Sequence, residues 1–380
     1  MSTMRSPDRP PGTTASGVRE SMRDRLGDEG VAVATVVAVE GSGYRRPGAR
    51  MVVDPEGTHR GSVTAGCLEE SVRDIAARVV TDGDPRLERF DLRDDAVEGW
   101  GLGLGCNGVI DVLVEPLDAS FGPALAELEA TRPVTVLTAV GSTDPAVDAG
   151  DRTTLTGAGR VSPGRDPLPE AVADAAERRL DGTDADVAAR LSVGTDAGEV
   201  DVFANRLVPT PTLLVFGGQA DADPVASLAL RAGFRVRVAT ARGGRADDGR
   251  FPDAVDVRST HPAEVADAVD APAYTYAVVM SHNFVDDRLA VAALLDTDVP
   301  YVGVMGPRER FRDLRESMDR TLDAADRDRI AAPCGLDLGG DDPAAIGFSV
   351  VSEVVAVHNG RAGGRLTDLE GPIHDRSEVP

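Results

Sequence analysis

Val31–Val39 is an almost unbroken run of small and β-branched apolar residues, the pattern of a strand buried on both faces. A polar, helix-forming stretch around Val18–Gly27 precedes it. Ala49–Val53 and Thr58–Val63 flank Asp54-Pro55-Glu56-Gly57, whose chemistry is that of a hairpin turn. The pattern then predicts a helix over Leu68–Val80 and strands over Arg86–Leu92 and Val109–Glu115. Strands with one or two helices and no regular alternation indicate an α+β unit. From Ala119 to Asn205 the rhythm weakens: a strand is expected at Pro133–Val140 and a helix at Pro169–Leu180. The Gly, Asp and Thr between them predict long exposed connections, so the segment is expected to be the tail of the first domain plus an elaborated joint.

The rhythm changes at Thr212. Strands over Thr212–Phe216, Arg235–Thr240, Val255–Val257, Tyr274–Ser281 and Tyr301–Val304 alternate with helices over Pro224–Ala232, Pro262–Val269 and Val285–Leu295. Helices over Glu309–Met318 and Pro343–His358 follow. Unpatterned apolar strands alternating with helices predict a doubly wound parallel sheet of Rossmann-like type. The expected α/β organisation is a leader (1–17), an N-terminal α+β domain (18–208), a Rossmann-like C-terminal domain (209–362) and a polar tail (363–380). The 380 residues suit two or three such units.

Composition narrows the chemistry. All 40 basic residues are arginine, against 44 Asp and 20 Glu, for a net charge of −24. Schiff-base and P-loop lysines are therefore excluded, and a basic face for nucleic acid is not expected. Arginine in place of lysine fits a GC-rich coding sequence, whereas the acidic excess points to a salt-adapted, halophilic source. No apolar run reaches the length of a membrane span, and the Pro/Ser/Thr-rich leader is expected to be disordered and lacks a signal peptide's apolar centre. Three cysteines, Cys67, Cys106 and Cys334, form no disulfide framework, so a cytoplasmic protein with reduced thiols is expected.

Four places could carry chemistry. Cys67 stands at a predicted helix start, where free N–H groups can stabilise a thiolate; the alternative is a small residue packed there. Cys106, in the loop Gly99–Gly108, is a second candidate thiol. In Gly41-Ser42-Gly43-Tyr44-Arg45-Arg46-Pro47-Gly48, the adjacent Arg45 and Arg46 could clamp an anion or pair with neighbouring carboxylates. In the second domain, Gly217 and Gly218 open a turn able to offer N–H groups to a phosphate. The full GxGxxG pattern is absent, Gln219 and Asp221–Asp223 occupy the space, and no acid ends the second strand. NAD or NADP is therefore not expected there, which leaves a degenerate nucleotide or pterin site or plain packing. His282, at a strand end, could orient a ligand or cap the strand; Arg308, after the next strand, could face the same crevice.

These residues together resemble the XdhC/CoxI family. The segments that carry the resemblance are Gly41–Met51, Gly61–Glu69 with Gly66-Cys67, and Gly105-Cys106-Asn107-Gly108. In the second domain they are Gly217-Gly218-Gln219, Arg250-Phe251-Pro252-Asp253, Ser281-His282-Asn283, Gly306-Pro307-Arg308 and Gly335–Gly339. The resemblance covers roughly residues 18–362. It departs at Gln219, where the family has a Gly-Ala-Gly-His-type turn, and at Asn283, where an Asp is customary. It implies an accessory protein, a chaperone rather than an enzyme, that binds the molybdenum cofactor (molybdopterin) and supports its sulfuration with a cysteine desulfurase. The cofactor would then be inserted into the large subunit of a xanthine dehydrogenase, aldehyde oxidase or CO dehydrogenase-type molybdenum hydroxylase. The site residues so implied are Cys67 (also as molybdenum contact) and Cys106, with Ser42, Arg45, Arg46, Gly66, Gly217, Gly218, His282 and Arg308 around the cofactor. A homodimer is the expected assembly; an NAD(P)-dependent oxidoreductase is the alternative function.

Overall fold

The computed structural model describes residues 13–93, 108–180, 188–245, 249, 251 and 256–370. The chain divides after Pro209 into two units, each with its own core.

The first unit opens with α1 (Ala15–Asp24), capped by the Thr14 hydroxyl on Gly17 N–H. The helix thus starts three residues inside the expected leader, with Val18 and Met22 buried. Next come β1 (Ala32–Gly41), β2 (Arg50–Val53), β3 (His59–Gly61), α2 (Glu69–Asp82), β4 (Arg86–Asp91) and β5 (Gly108–Pro116), forming an antiparallel sheet of order β3-β2-β1-β5-β4. Asp54 closes the predicted hairpin by accepting from Thr58 N–H.

The segment expected to be a joint is a second complete sheet. After α3 (Gly122–Glu129) come β6 (Val134–Ser142), β7 (Arg152–Thr156), β8 (Gly159–Val161), α4 (Glu170–Leu180), β9 (Ala188–Gly194) and β10 (Glu199–Leu207), in the order β8-β7-β6-β10-β9. β6 and α4 stand where the pattern predicts a strand and a helix, whereas β7 was hidden because it is built largely of Arg and Thr.

The second sheet repeats the plan of the first, helix included. Val37 bulges from β1 and Val140 from β6 at the same point of the register. Gly48 and Gly150, both at φ +93°, donate to the residue just before each bulge, Val36 and Ala139. Thr35 stands opposite Arg50, and Thr138 opposite Arg152. Val37, Leu113, Val140 and Phe203 form the apolar centre where the sheets meet, while α2 and α4 cover the outer faces. β1 is therefore covered on both sides, which accounts for its unpatterned sequence.

The second unit contains β11 (Thr212–Phe216), α5 (Ala222–Arg231), β12 (Arg235–Thr240), β13 (Asp256–Ser259), β14 (Thr275–Val279), α6 (Phe284–Leu295), β15 (Tyr301–Val304), α7 (Arg308–Glu316), α8 (Ala324–Arg329), β16 (Ile330–Ala331) and α9 (Pro343–His358). Its strands are parallel, in the order β13-β12-β11-β14-β15-β16, so the winding reverses between β11 and β14. α5 and α9 cover one face; α6, α7 and a 3-10 turn at Pro262–Ala268, expected as an α-helix, cover the other. The short α8 and β16 had no clear apolar signal. This is the Rossmann-like sheet that the sequence pattern predicts.

Candidate functional site

In the first unit, the β1–β2 loop and the β3–α2 loop meet at one end of the sheet. Arg45 Nε donates to Ser62 Oγ at 3.0 Å, tying the arginine loop to the cysteine loop. The start of β5 lies against the same place: a Cβ on Gly108 would fall 2.4 Å from Ser42 O, so only glycine fits. Among the described residues neither Arg45 nor Arg46 has a carboxylate partner, and both are exposed.

The turn that carries Cys67 hangs on a buried carboxylate. Glu69 accepts from Thr64 N–H at 2.9 Å, Thr64 Oγ1 at 2.7 Å and Leu68 N–H at 3.2 Å. Thr64 Oγ1 in turn accepts from the N–H groups of Cys67 and Leu68, each at 3.1 Å. The sequence suggested free N–H groups beside the thiol; those of Cys67 and Leu68 are already taken. Burial opposes the Glu69 charge, but these hydrogen bonds outweigh it and hold the carboxyl below its ordinary range. Cys67 is half-buried, its side chain against the α2 core, while Gly66 beside it (φ +117°) faces open space. The result is a rigid turn with a thiol at an open edge. Ser62, Thr64 and Glu69, which organise it, were not singled out from the sequence. An acid two residues past the cysteine, at a predicted helix start, was the available signal. Cys106 lies outside the described residues, as do Arg250, Pro252 and Asp253.

In the second unit the switch between β11 and β14 brings Gly217, Gly218 and His282 together. A Cβ on Gly217 would stand 2.6 Å from Met280 O, so a glycine is required where the two strand ends converge. Gln219 bridges the gap: its Oε1 accepts from Gly218 N–H at 3.0 Å, and its Nε2 donates to Ser281 O. His282 adopts a left-handed backbone (φ +59°), uncommon for a non-glycine, and directs Nε2 to within 3.6 Å of Asp221 Oδ2. Its neighbours are pinned by α6. Ser281 N–H and Oγ both donate to the buried Asp287, and Asn283 caps the helix by accepting from Val285 and Asp286 N–H at 3.0 Å. Asn therefore does the capping that an Asp would do at that position. Asp287 is paired with Arg310 at 2.7 Å; Arg308 stands exposed at the start of α7 with no carboxylate partner among the described residues. The arginine that supports the strand end is Arg310, which the sequence did not single out; Arg308 was expected as an anion contact, a different role. Gln219, Asp221, Ser281 and Asp287 were likewise not proposed as site residues.

Elsewhere in this unit, Cys334 is a shielded thiol. Burial, then the charge of Glu353, pushes its pKa up to about 12, and Glu353 also accepts from Tyr301 Oη at 2.5 Å and Gly335 N–H at 2.7 Å. Among the described residues no group of three or more His, Cys, Asp or Glu could hold a metal ion, and no helix is long and apolar enough to cross a membrane.

Comparison with known proteins places these features. Residues 26–91 match the XdhC and CoxI family and residues 213–354 the XdhC Rossmann domain, together more than half of the chain. A Bacillus subtilis protein described as a probable subunit of xanthine dehydrogenase is 27% identical over 334 residues, covering 86% of this chain and 93% of that one. The uncharacterized Escherichia coli protein YqeB is 24% identical over 184 residues, 48% of this chain and 34% of its own length. A crystal structure described as a xanthine dehydrogenase from Bacillus halodurans superposes with a TM-score of 0.73 at 25% identity, over 91% of this chain and 96% of that one. The cysteine turn and the glycine turn each fall within a matched stretch, in the same order along the sequence, and the chain belongs to the XdhC and CoxI family.

Proposed function

We propose that this chain serves the maturation of a xanthine dehydrogenase-type molybdenum hydroxylase by binding the molybdenum cofactor and presenting it for sulfuration and insertion. The observation that carries this reading is the pinned turn of the first unit. It sets a half-exposed thiol at Cys67 in a loop tied through Ser62 to Arg45, with Arg46 adjacent and neither arginine neutralised by a carboxylate among the described residues. Two such guanidinium groups and hydroxyls at Ser42 and Ser62 are a donor set for a phosphate-bearing ligand, and a thiol suits a soft metal. The metal would arrive already ligated by its pterin, with Cys67 as an added contact. The relatives described as xanthine dehydrogenase proteins supply the client class, and a cysteine desulfurase would supply the sulfur. The protein would act in the cytoplasm, as a chaperone and not as a catalyst, and the expected assembly is a homodimer.

The geometry of the second unit weighs against an NAD(P)-dependent oxidoreductase. Gln219 takes up Gly218 N–H, and the Asp221 carboxylate stands at the start of α5, where a pyrophosphate would sit. The test is to purify the protein from cells making the cofactor and to measure its molybdenum and pterin content. Near-stoichiometric pterin that falls at least tenfold in Cys67→Ser, with circular dichroism unchanged, is expected. Cofactor-free protein that binds NAD or NADP would overturn the reading.

A further inference from the structure

The loop between β1 and β2 is pinned on both sides of its tip. Gly43 packs so close to β1 that a Cβ would fall 2.7 Å from Val39 Cγ1, and Gly48 N–H donates to Val36 O at 2.8 Å. Between these points stands Tyr44, 51% exposed in a chain whose aromatic content is only 4%. Tyr276 and Tyr301, by contrast, are buried, and their hydroxyls meet His358 and Glu353. Among the described residues the Tyr44 ring packs on no other ring or guanidinium, and its hydroxyl has no partner. A single exposed apolar side chain is ordinary by itself, but this one adjoins two arginines that lack a carboxylate. Arg45 is laid back on the loops, with Nε on Ser62 Oγ and Nη1 3.4 Å from Tyr44 O, which leaves Nη2 without an acceptor among the described residues. A stiff ring on a fixed backbone can be covered by a ligand at little cost in side-chain entropy.

We propose that Tyr44 is the ring platform of the candidate site: a planar heteroaromatic stacks on its face while Arg45 and Arg46 take the phosphate monoester that the same molecule carries. Stacking favours a flat π system and the guanidinium groups favour a phosphate, so together they select a ligand with both over inorganic phosphate or a bare ring. A polynucleotide also has both, but a chain of net charge −24 repels it. A pterin phosphate satisfies this chemistry, and so does a nucleoside monophosphate. That the ring is the pterin of the molybdenum cofactor rests on the maturation reading above; the stacking role of Tyr44 does not.

The test is calorimetric titration of the full-length protein, purified from cells that do not make the cofactor, with three probes: a pterin carrying a phosphate monoester, GMP and inorganic phosphate. The pterin phosphate should bind at least tenfold more tightly than inorganic phosphate. Tyr44→Ala should weaken the pterin phosphate about tenfold, a loss of the size expected for one ring stacked on an aromatic side chain, and leave inorganic phosphate unchanged. Tyr44→Phe, which keeps the ring, should bind as wild type does. Failure of wild type to bind either ring-bearing probe, equal binding of the pterin phosphate by wild type and Tyr44→Ala, or an equal loss for inorganic phosphate would overturn the proposal. GMP bound more tightly than the pterin phosphate, and weakened by Tyr44→Ala, would uphold the platform and sink the maturation reading. Cofactor that co-purifies equally with wild type and Tyr44→Ala from cells that make it would uphold that reading and sink the platform.

Discussion

Arg152 Nη2, on β7, donates to both carboxylate oxygens of Glu115 on β5, joining the two antiparallel sheets through a contact that leaves both side chains almost wholly buried (3% and 2% exposed). The guanidinium also donates to Ser120 Oγ at 2.7 Å and Thr138 Oγ1 at 3.1 Å and lies 4.0 Å above the Phe121 ring. Each of the three guanidinium nitrogens thus has an acceptor. A buried pair satisfied this fully is destabilising to break but need not add stability over an apolar substitute.

Glu115→Ala should therefore lower the unfolding free energy by about 3–5 kcal/mol, since it strands the Arg152 charge. The double change Glu115→Leu with Arg152→Met should cost less than either single change. Because the pair is shielded from solvent, the cost should be nearly the same at low and high salt, unlike that of an exposed pair. Denaturant unfolding at two salt concentrations checks both statements.

Glu69 predicts a pH effect of definite sign. Its pKa in the folded chain lies below the ordinary value of 4.5, despite burial, because Thr64 and Leu68 donate to the charged form. Such a group stabilises above its unfolded pKa, and that stability is lost as pH falls through the folded value. Glu69→Gln should cost about 2 kcal/mol at pH 7, and the gap between variant and wild type should close as pH drops below 4.5. A gap that persists unchanged at pH 3 would show that shape, and not charge, holds the cysteine turn.

Gly217 tests whether a glycine in a nucleotide-like turn is there for a ligand or for the fold. A Cβ would press on Met280 O at 2.6 Å, and Met280 N–H is itself bonded to Phe216 O, so neither strand end can yield. Gly217→Ala should destabilise the second unit by about 3 kcal/mol or more, seen as faster proteolysis within 210–370 and not within 12–209. Gly66→Ala meets no neighbour; only its left-handed backbone resists, so its effect should be about 1 kcal/mol.

How far the sequence foretold this architecture depends on how each strand is covered. β11 and β15 are buried almost throughout, and their apolar runs locate them to the residue; the parallel sheet follows from the helices between the strands. β7 was invisible because its inward positions are Arg152 and Thr154, which are polar groups placed at a sheet interface that no local pattern reveals. The repeat is carried by register, bulge and glycine position with little residue identity, so it emerges only once the pairing is known. At the site, Cys67 and Arg45 were legible as residue types. Their supports were not: Ser62 and Thr64 act through hydrogen bonds whose geometry only the folded loops create. Likewise Arg310, and not Arg308, reaches Asp287, because the helical twist decides which of them points back at the strand end.

The acidic surface contains one place where its repulsion is locally resolved. Asp151, 8% exposed, lies in a cleft with Asp84, Asp148 and Asp166, while the neighbouring Arg165 is drawn off to Asp118 at 2.7 Å. Burial first, and then the charges of Asp166 and Asp148, raise its pKa against the pull of a hydrogen bond from Asp148 N–H. For a carboxyl raised in this way, the stabilising contribution exists below the unfolded pKa and is lost as pH rises through the folded one. At pH 7 the ionised group therefore weighs against the fold. Asp151→Asn keeps an oxygen for the Asp148 N–H and removes the charge, so it should raise the Tm at pH 7. Screening should shrink that gain as salt increases, because repulsion from Asp148 and Asp166 is part of its cause. Thermal unfolding of both proteins at pH 7 and pH 4, in low and molar salt, checks the sign in each direction: a variant less stable than wild type at pH 7 would mean that the Asp148 hydrogen bond to a charged acceptor outweighs the repulsion.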